Sequence, residues 1–94
     1  MSALSIVAKL ATTQENLELV KSELIKLVEP TLSEKGCIDY KLHQDNEDPN
    51  VFLFYENWET ADDLDAHMKS SHFTECFGKI ETMLSKEVHK ATQL

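Results

Sequence analysis

The chain has 94 residues and no arginine, and its formal net charge is −8. Nucleic acids and anionic lipid surfaces bind to basic faces, so neither is an expected partner. Bidentate capture of a phosphate or carboxylate substrate also requires a guanidinium group, although nine lysines remain for weaker contacts. The composition therefore argues against nucleic acid, an anionic membrane and a substrate held by a bidentate grip on phosphate or carboxylate.

Glycine and proline are scarce, with two residues of each, and no long apolar run is present. A membrane span needs about 20 apolar residues, and residues 1–11 lack the charged leader and long apolar core of a signal peptide. The two cysteines, Cys37 and Cys76, show no C-x-x-C spacing. We therefore expect a single cytoplasmic globular domain over residues 1–94, with both thiols reduced and packed as small apolar side chains.

Alternating and helical apolar patterns divide the chain into strands and helices. Strands are predicted at residues 4–10, 37–43, 51–57 and about 86–92. A capping-box pattern, Thr12-x-x-Glu15, predicts a helix that closes at Gly36, with Pro30 thinning its end. Thr60 and Ser70 or Ser71 predict the starts of two shorter helices. This β-α-β-β-α-β order predicts an α+β, ferredoxin-like fold with an antiparallel sheet and helices on one face.

The third strand, residues 51–57, is apolar on both faces. Phe52 and Phe54 lie on one face, and Val51, Leu53 and Tyr55 lie on the other. A strand buried on both faces needs two covering layers, and one chain supplies helices for only one of them. We therefore expect a homodimer in which the open sheet face of each subunit covers the other.

One stretch, Phe52–Phe73, concentrates aromatic and titratable side chains. It holds the only tryptophan, three of the four phenylalanines, and two of the four histidines, His67 and His72. Such a stretch can form an apolar aromatic pocket with an imidazole at its edge, which suits either catalysis or ligand binding.

Two runs of sequence resemble a known family. The run E-K-G-C-I-D-Y at Glu34–Tyr40 and the run Y-E-N-W-E-T-A-D-D-L-D-A-H-M-K-S-S-H-F at Tyr55–Phe73 resemble the antibiotic biosynthesis monooxygenase (ABM) superfamily. Within it, the chain looks most like the small bacterial quinol monooxygenases. The resemblance implies a dimeric α+β barrel and a pocket between sheet and helices. It also implies oxidation of a quinol or polycyclic phenol by dioxygen without flavin, haem or metal.

Carried over by position, the resemblance places Glu56, Trp58, His67 and His72 at or near the pocket. Such chemistry needs a base that makes the substrate electron-rich and a donor that holds the resulting oxyanion. His67 is the first candidate base, oriented by Asp63 or by Glu56, and His72 is a second base or donor. The expected substrate-binding residues are Phe54, Glu56, Trp58 and Phe73, with Tyr40 as a further donor.

Structural interpretations of the same residues remain open. Trp58 can be a core residue, and Glu56 can belong to a buried hydrogen-bond network. His67 can have a structural role in place of a functional one, and His72 can be a capping or solvated residue. His43 and His89 are expected to be exposed. No metal site is predicted, because His67 and His72 are five residues apart across a helix break and no third ligand is apparent.

Three other functions compete with the monooxygenase. A non-enzymatic dimeric ligand-binding protein of the same fold is the main alternative. The resemblance also covers haem-binding relatives, which typically have an asparagine in the first strand and an axial histidine in the last helical segment. Haem binding is disfavoured here, because the first strand has no asparagine and residues 74–84 have no histidine. Isomerisation of a phosphorylated signal molecule is disfavoured by the missing arginine.

Overall fold

The structure, a computed structural model, describes residues 3–94. Within this range, four strands and three helices follow one another, and one 3-10 turn, Glu81–Met83, precedes the last strand. In chain order they are β1 (Leu4–Ala11), α1 (Leu17–Leu32), β2 (Cys37–Gln44), β3 (Val51–Trp58), α2 (Ala61–Met68), α3 (Ser71–Ile80) and β4 (Ser85–Thr92). The strands form one antiparallel sheet in the order β2-β3-β1-β4. The predicted ferredoxin-like α+β fold is confirmed.

Strand β1 lies at the centre of the sheet and directs alternate side chains toward the helices. Ile6, Ala8 and Leu10 are buried, whereas Val7 and Lys9 between them are exposed. The register carries this alternation into both neighbouring strands. Ile6 pairs with Glu56 of β3 on one side and with Lys90 of β4 on the other.

Helix α1 buries one stripe of side chains on the sheet, with Val20, Leu24 and Leu27 almost fully enclosed. The predicted capping box at its start is wrong. The helix begins at Leu17, and the Thr12 hydroxyl instead donates a 2.8 Å hydrogen bond to the Met83 carbonyl. The hydroxyl therefore fastens the end of β1 to the 3-10 turn.

The end of α1 also differs from expectation. The helix ends at Leu32, four residues before Gly36, so Gly36 is not its cap. Gly36 does adopt a left-handed conformation, with φ of 81°, in the turn that leads into β2. Pro30 lies within the last turn of α1, in agreement with its predicted place near the helix end.

The two short helices begin where the sequence predicts. The Thr60 hydroxyl accepts a 3.1 Å hydrogen bond from the Asp63 backbone, and the Ser70 hydroxyl accepts one of 3.4 Å from the Phe73 backbone. These caps set the directions of α2 and α3 over the sheet. As a result, His67 on α2 and Phe73 on α3 come together, with ring centroids 5.0 Å apart.

No helix or strand between residues 3 and 94 covers the second sheet face. Tyr55 of β3 is 41% exposed and Val7 of β1 is 42% exposed. Strand β4 is exposed along its whole length. The expectation that β3 is buried on both faces is therefore not met by a single chain, and the covering subunit stays a prediction.

None of the helices between residues 3 and 94 combines the length and apolarity that crossing a bilayer requires.

Candidate active site

A cavity of about 140 Å³ lies between the sheet and helices α2 and α3. Its lining is mostly apolar, and the polar exceptions are Tyr40, Glu56, His67, Lys86 and Lys90. Both lysines lie on the exposed strand β4, so that side of the cavity is its open end. The cavity therefore combines an enclosed, titratable region with a cationic edge.

The register of the sheet sets the positions of the polar residues in the cavity wall. Tyr40, Glu56, Ile6 and Lys90 occupy one row across the four strands. Strands lie about 4.8 Å apart, so the backbones of Glu56 and Lys90 are separated by roughly 10 Å, with Ile6 between them. An aromatic ring lying over Ile6 would thus meet a carboxyl group on one side and an ammonium group on the other.

His67 contributes the imidazole of the site. It is only 1% exposed, and its ring lies among Trp58 at 4.8 Å, Phe73 at 5.0 Å and Tyr40 at 5.3 Å between centroids. Burial lowers the pKa of His67, although its hydrogen bond to Glu34 opposes that shift. The ring is therefore held neutral near neutral pH.

Glu34 fixes the tautomer of that ring. Its Oε2 lies 2.7 Å from His67 Nδ1, and a carboxylate oxygen can only accept, so Nδ1–H donates. The unprotonated nitrogen is then Nε2, which makes no hydrogen bond to any residue from 3 to 94. His67 lines the cavity, and this tautomer leaves Nε2 as the proton acceptor of its ring.

Asp63, expected to orient His67, makes no hydrogen bond to it between residues 3 and 94. Its Oδ2 accepts a 2.9 Å hydrogen bond from the Thr60 hydroxyl at the start of α2. The orienting residue is Glu34, thirty-three positions earlier in the chain. Sequence reasoning missed Glu34 as a site residue, although it is the first letter of the E-K-G-C run.

His72 lies on the outer side of Glu34. Its Nε2 is 2.7 Å from the same Oε2 atom, so one carboxylate oxygen accepts from two imidazoles. The His72 side chain is 25% exposed and does not line the cavity. Its position suits support of Glu34 better than direct contact with a ligand in the cavity.

Glu56 is a second titratable group in the cavity wall. It is buried, and its Oε1 accepts a 2.9 Å hydrogen bond from Trp58 Nε1. Burial raises the pKa of Glu56 to about 7; the Trp58 hydrogen bond opposes the shift, and the charge of Glu34 adds to it. A carboxyl group with this pKa can take up or release a proton near neutral pH.

Trp58 itself is completely buried and is not among the residues that line the cavity. It lies against His67 and donates to Glu56, so it holds both titratable groups in place. Tyr40 does line the cavity, and burial raises the pKa of its phenol, which therefore stays a neutral donor. Its ring packs against Phe54 with centroids 4.9 Å apart.

The structure thus brings together most of the residues expected from the sequence. Five of them line the cavity: Tyr40, Phe54, Glu56, His67 and Phe73. Trp58 and His72 lie behind that wall. Sequence reasoning did not anticipate Lys86 or Lys90, because nothing in the polar pattern of β4 shows which of its faces meets the cavity. It also missed Met68, the last residue of α2.

Both cysteines are unpaired thiols outside the cavity lining. Cys76 is buried and Cys37 is partly buried, and burial raises the pKa of each to about 11. Thiolates are the reactive form, so these residues are poor nucleophiles at neutral pH. This agrees with the expected packing role.

The fold and the cavity define a small α+β domain with a buried imidazole–carboxylate pair beneath two helices. The sequence model of the family described as "Antibiotic biosynthesis monooxygenase" matches residues 3–79. The chain belongs to this family.

Individual relatives agree with that assignment. An uncharacterised Synechocystis protein, sll1783, is 39% identical over 70 residues, covering 70% of this chain and 48% of that protein. The chain thus spans about half the length of this curated relative. PA3566 from Pseudomonas aeruginosa is 28% identical with a TM-score of 0.95, covering 100% of this chain and 96% of that one.

A protein whose crystal structure is described as an antibiotic biosynthesis monooxygenase is 29% identical, with a TM-score of 0.92. That match covers 97% of this chain and 98% of the other. The shared fold extends over the whole sheet and all three helices.

Proposed function

We propose that this protein is a cofactor-independent monooxygenase that oxidises a quinol with dioxygen in the cavity between sheet and helices. The observation that carries the proposal is the His67 ring, buried in a cavity wall with Nδ1 held by Glu34 at 2.7 Å. Family membership supports a monooxygenase-like chemistry.

The size of the cavity favours a substrate with one ring over a polycyclic phenol. An apolar protein cavity of about 150 Å³ accommodates benzene, and this one measures about 140 Å³. A second fused ring would extend past the open end at Lys86 and Lys90. The best candidate is therefore a substituted hydroquinone.

The first step is removal of a proton. A hydroquinone hydroxyl donates its proton to His67 Nε2, and the resulting anion is a far better electron donor than the neutral quinol. Lys86 and Lys90 stabilise the negative charge from the open end, while the Tyr40 hydroxyl and protonated Glu56 can donate to a substrate oxygen.

The anion then reduces dioxygen directly, with no cofactor between them. One electron passes to dioxygen, and the two radicals combine to form a C–O bond at a ring carbon. The O–O bond and the C–H bond at that carbon then break, so one oxygen stays on the ring. The other oxygen leaves as water, formed with the ring proton passed through Glu56 and the hydroxyl proton held by His67. Hydroquinone plus dioxygen gives hydroxyquinone plus water, so dioxygen takes all four electrons from the substrate.

We also propose that the protein works as a homodimer in the reducing cytoplasm. On the uncovered sheet face, Val7, Leu53 and Tyr55 form an apolar patch, with Val7 and Tyr55 more than 40% exposed. A second copy placed on this patch would bury it and complete a barrel of two sheets. The free thiols Cys37 and Cys76 suit a reducing compartment.

The test is oxygen uptake by metal-free protein supplied with a panel of single-ring hydroquinones and, for comparison, anthrones. The wild type should consume oxygen above the autoxidation rate, and His67→Ala should lower kcat by about 10²- to 10⁴-fold, as expected for loss of a general base. Glu18→Ala is the control, because Glu18 is exposed on α1, away from both the cavity and the open sheet face. No oxygen uptake above the autoxidation rate, or equal rates for wild type and His67→Ala, would overturn the monooxygenase proposal. The protein would then be better described as a ligand-binding protein.

A further inference from the structure

We propose that Glu34, His67 and His72 form a binding site for a divalent transition-metal ion of the zinc or copper class. One donor atom from each residue, Glu34 Oε, His67 Nδ1 and His72 Nε2, lies within 4.8 Å of the other two. The third ligand that the sequence does not reveal is therefore Glu34, supplied by the turn between α1 and β2.

The donor set matches the chemistry of these ions. Imidazole nitrogen and carboxylate oxygen are common ligands of Zn²⁺ and Cu²⁺, whereas Mg²⁺ and Ca²⁺ prefer oxygen alone. Three protein ligands leave at least one coordination position for water. A chain with a net charge of −8 also favours cations over anions near its surface.

Metal binding would replace two hydrogen bonds that the carboxylate now accepts. Glu34 Oε2 is 2.7 Å from each imidazole nitrogen, and both nitrogens carry protons in that arrangement. In a tetrahedral zinc site with bonds of about 2.0–2.1 Å, neighbouring donor atoms lie about 3.3 Å apart. Glu34 lies outside the helices and strands, so a movement of roughly 0.6 Å is within reach of its side chain.

The site borders the outer surface at His72, whose side chain is 25% exposed. His72 borders a groove on the other side of the helices, together with Glu23, Glu75 and Cys76. Lys26 and Lys79 also line this groove, but each pairs with Glu23, at 3.1 and 3.5 Å. Neither Glu34 nor His72 lines the cavity, so a bound metal would not touch the substrate.

A metal at this site would nevertheless change what His67 presents to the cavity. With Glu34 as partner, Nδ1 carries the proton and Nε2 is an acceptor. With a metal on Nδ1, the ring proton moves to Nε2, which then donates and can no longer take a proton. The metal would therefore inhibit oxidation, a consequence that rests on the proposed function, whereas binding itself does not.

The single tryptophan supplies a direct readout of binding. Trp58 lies 4.8 Å from the His67 ring, so Cu²⁺ at the site should quench its fluorescence. We expect quenching of the metal-free protein to saturate at one Cu²⁺ per chain. Zn²⁺ should reverse it by competition, and millimolar Mg²⁺ should not.

The variants His72→Ala and Glu34→Gln should each weaken Cu²⁺ binding by about 10-fold or more. The control is the double variant His43→Ala/His89→Ala, which removes the two exposed histidines outside the site and should bind as the wild type does. Zn²⁺ should also raise the Tm of the wild type but not of folded His72→Ala, which is a second measure of the same site.

Saturable quenching that is unchanged in His72→Ala, or that disappears in the His43→Ala/His89→Ala control, would overturn the site. Inhibition of oxygen uptake by Zn²⁺ tests the consequence separately. If Zn²⁺ binds with the predicted variant dependence but no substrate is oxidised at all, the metal site stands and the proposed oxidation fails.

Discussion

Trp58 Nε1 donates a hydrogen bond of 2.9 Å to Glu56 Oε1, and both residues lie on the same face of β3. The indole thereby satisfies one oxygen of a carboxyl group that is buried in the cavity wall. The hydrogen bond opposes the effect of burial, which still raises the pKa of Glu56 to about 7. This pair makes the stability of the protein depend on pH.

Glu56 should make the wild type less stable as pH rises from about 4.5 to about 7. In that window the folded state keeps the proton that the unfolded state loses, so the free energy of unfolding falls by on the order of 3 kcal/mol. Glu56→Gln keeps an acceptor for Trp58 and removes this contribution. Chemical denaturation at pH 5 and pH 8 measures it.

Comparing the wild type with Glu56→Gln separates the contribution of Glu56 to the pH dependence of stability from that of His67. The lowered pKa of His67 acts with the opposite sign, but it is present in both proteins and cancels in the difference. Glu59→Gln, which removes an exposed carboxylate just after β3, is the control. Equal pH dependence in Glu56→Gln and Glu59→Gln would contradict the prediction.

Glu34→Gln should lower kcat for the proposed oxidation by about 10- to 100-fold and leave KM nearly unchanged. Glutamine can donate to Nδ1 and so favours the tautomer in which Nε2 carries the proton. KM should hold because Glu34 does not line the cavity. Steady-state oxygen uptake separates the two constants, and a rise in KM with unchanged kcat would refute a positioning role.

Lys90→Gln should raise KM for an acidic quinol by up to about 5-fold, as expected for a partly exposed ionic contact. Lys90 is the better target of the two cavity lysines, since Lys86 also pairs with Glu81 at 3.5 Å. Lys9→Gln is the control, because Lys9 lies on the opposite face of the sheet. Added salt should shrink the difference between wild type and Lys90→Gln. Equal KM values for Lys90→Gln and Lys9→Gln would show that Lys90 does not attract the substrate.

Gly36→Ala should destabilise the protein by about 1–2 kcal/mol or more. Gly36 has a φ of 81°, and an added Cβ would overlap the Asp63 side chain at the start of α2. The same change at Gly78, within α3 and free of neighbours, should instead stabilise by about 0.5–1 kcal/mol. Denaturant unfolding of both variants checks this pair, and a Gly36→Ala protein as stable as Gly78→Ala would contradict it.

Tyr55→Glu should convert a homodimer into a monomer by placing a charge in the apolar patch of Val7, Leu53 and Tyr55. The control is Ile25→Glu, because Ile25 is 54% exposed on α1, away from the open sheet face. Light scattering after size exclusion should show two chains for wild type and Ile25→Glu, and one for Tyr55→Glu. A wild type with the mass of one chain would rule out the dimeric barrel.

Local sequence patterns were sufficient to predict the strands and helices of the fold. Alternation in β1 and helical spacing in α1 depend only on neighbours in the chain, and side-chain caps at Thr60 and Ser70 mark helix starts directly. The capping box predicted at Thr12 was wrong because a distant residue binds its side chain. The Thr12 hydroxyl donates to the Met83 carbonyl, 71 positions away in the chain, and no local pattern indicates such a contact.

The sequence by itself determined the sheet, the helices and the residues that make an aromatic cavity with His67 in its wall. Only the tertiary structure decided which carboxylate holds that histidine and which charged groups line its cavity. Glu34, and not Asp63, accepts the hydrogen bond from His67, and burial raises the pKa of Glu56. Two lysines of β4 lie at the open end of the cavity. The physical reason is that periodicity records which face of an element is buried, whereas hydrogen bonds and desolvation depend on which elements meet across that face.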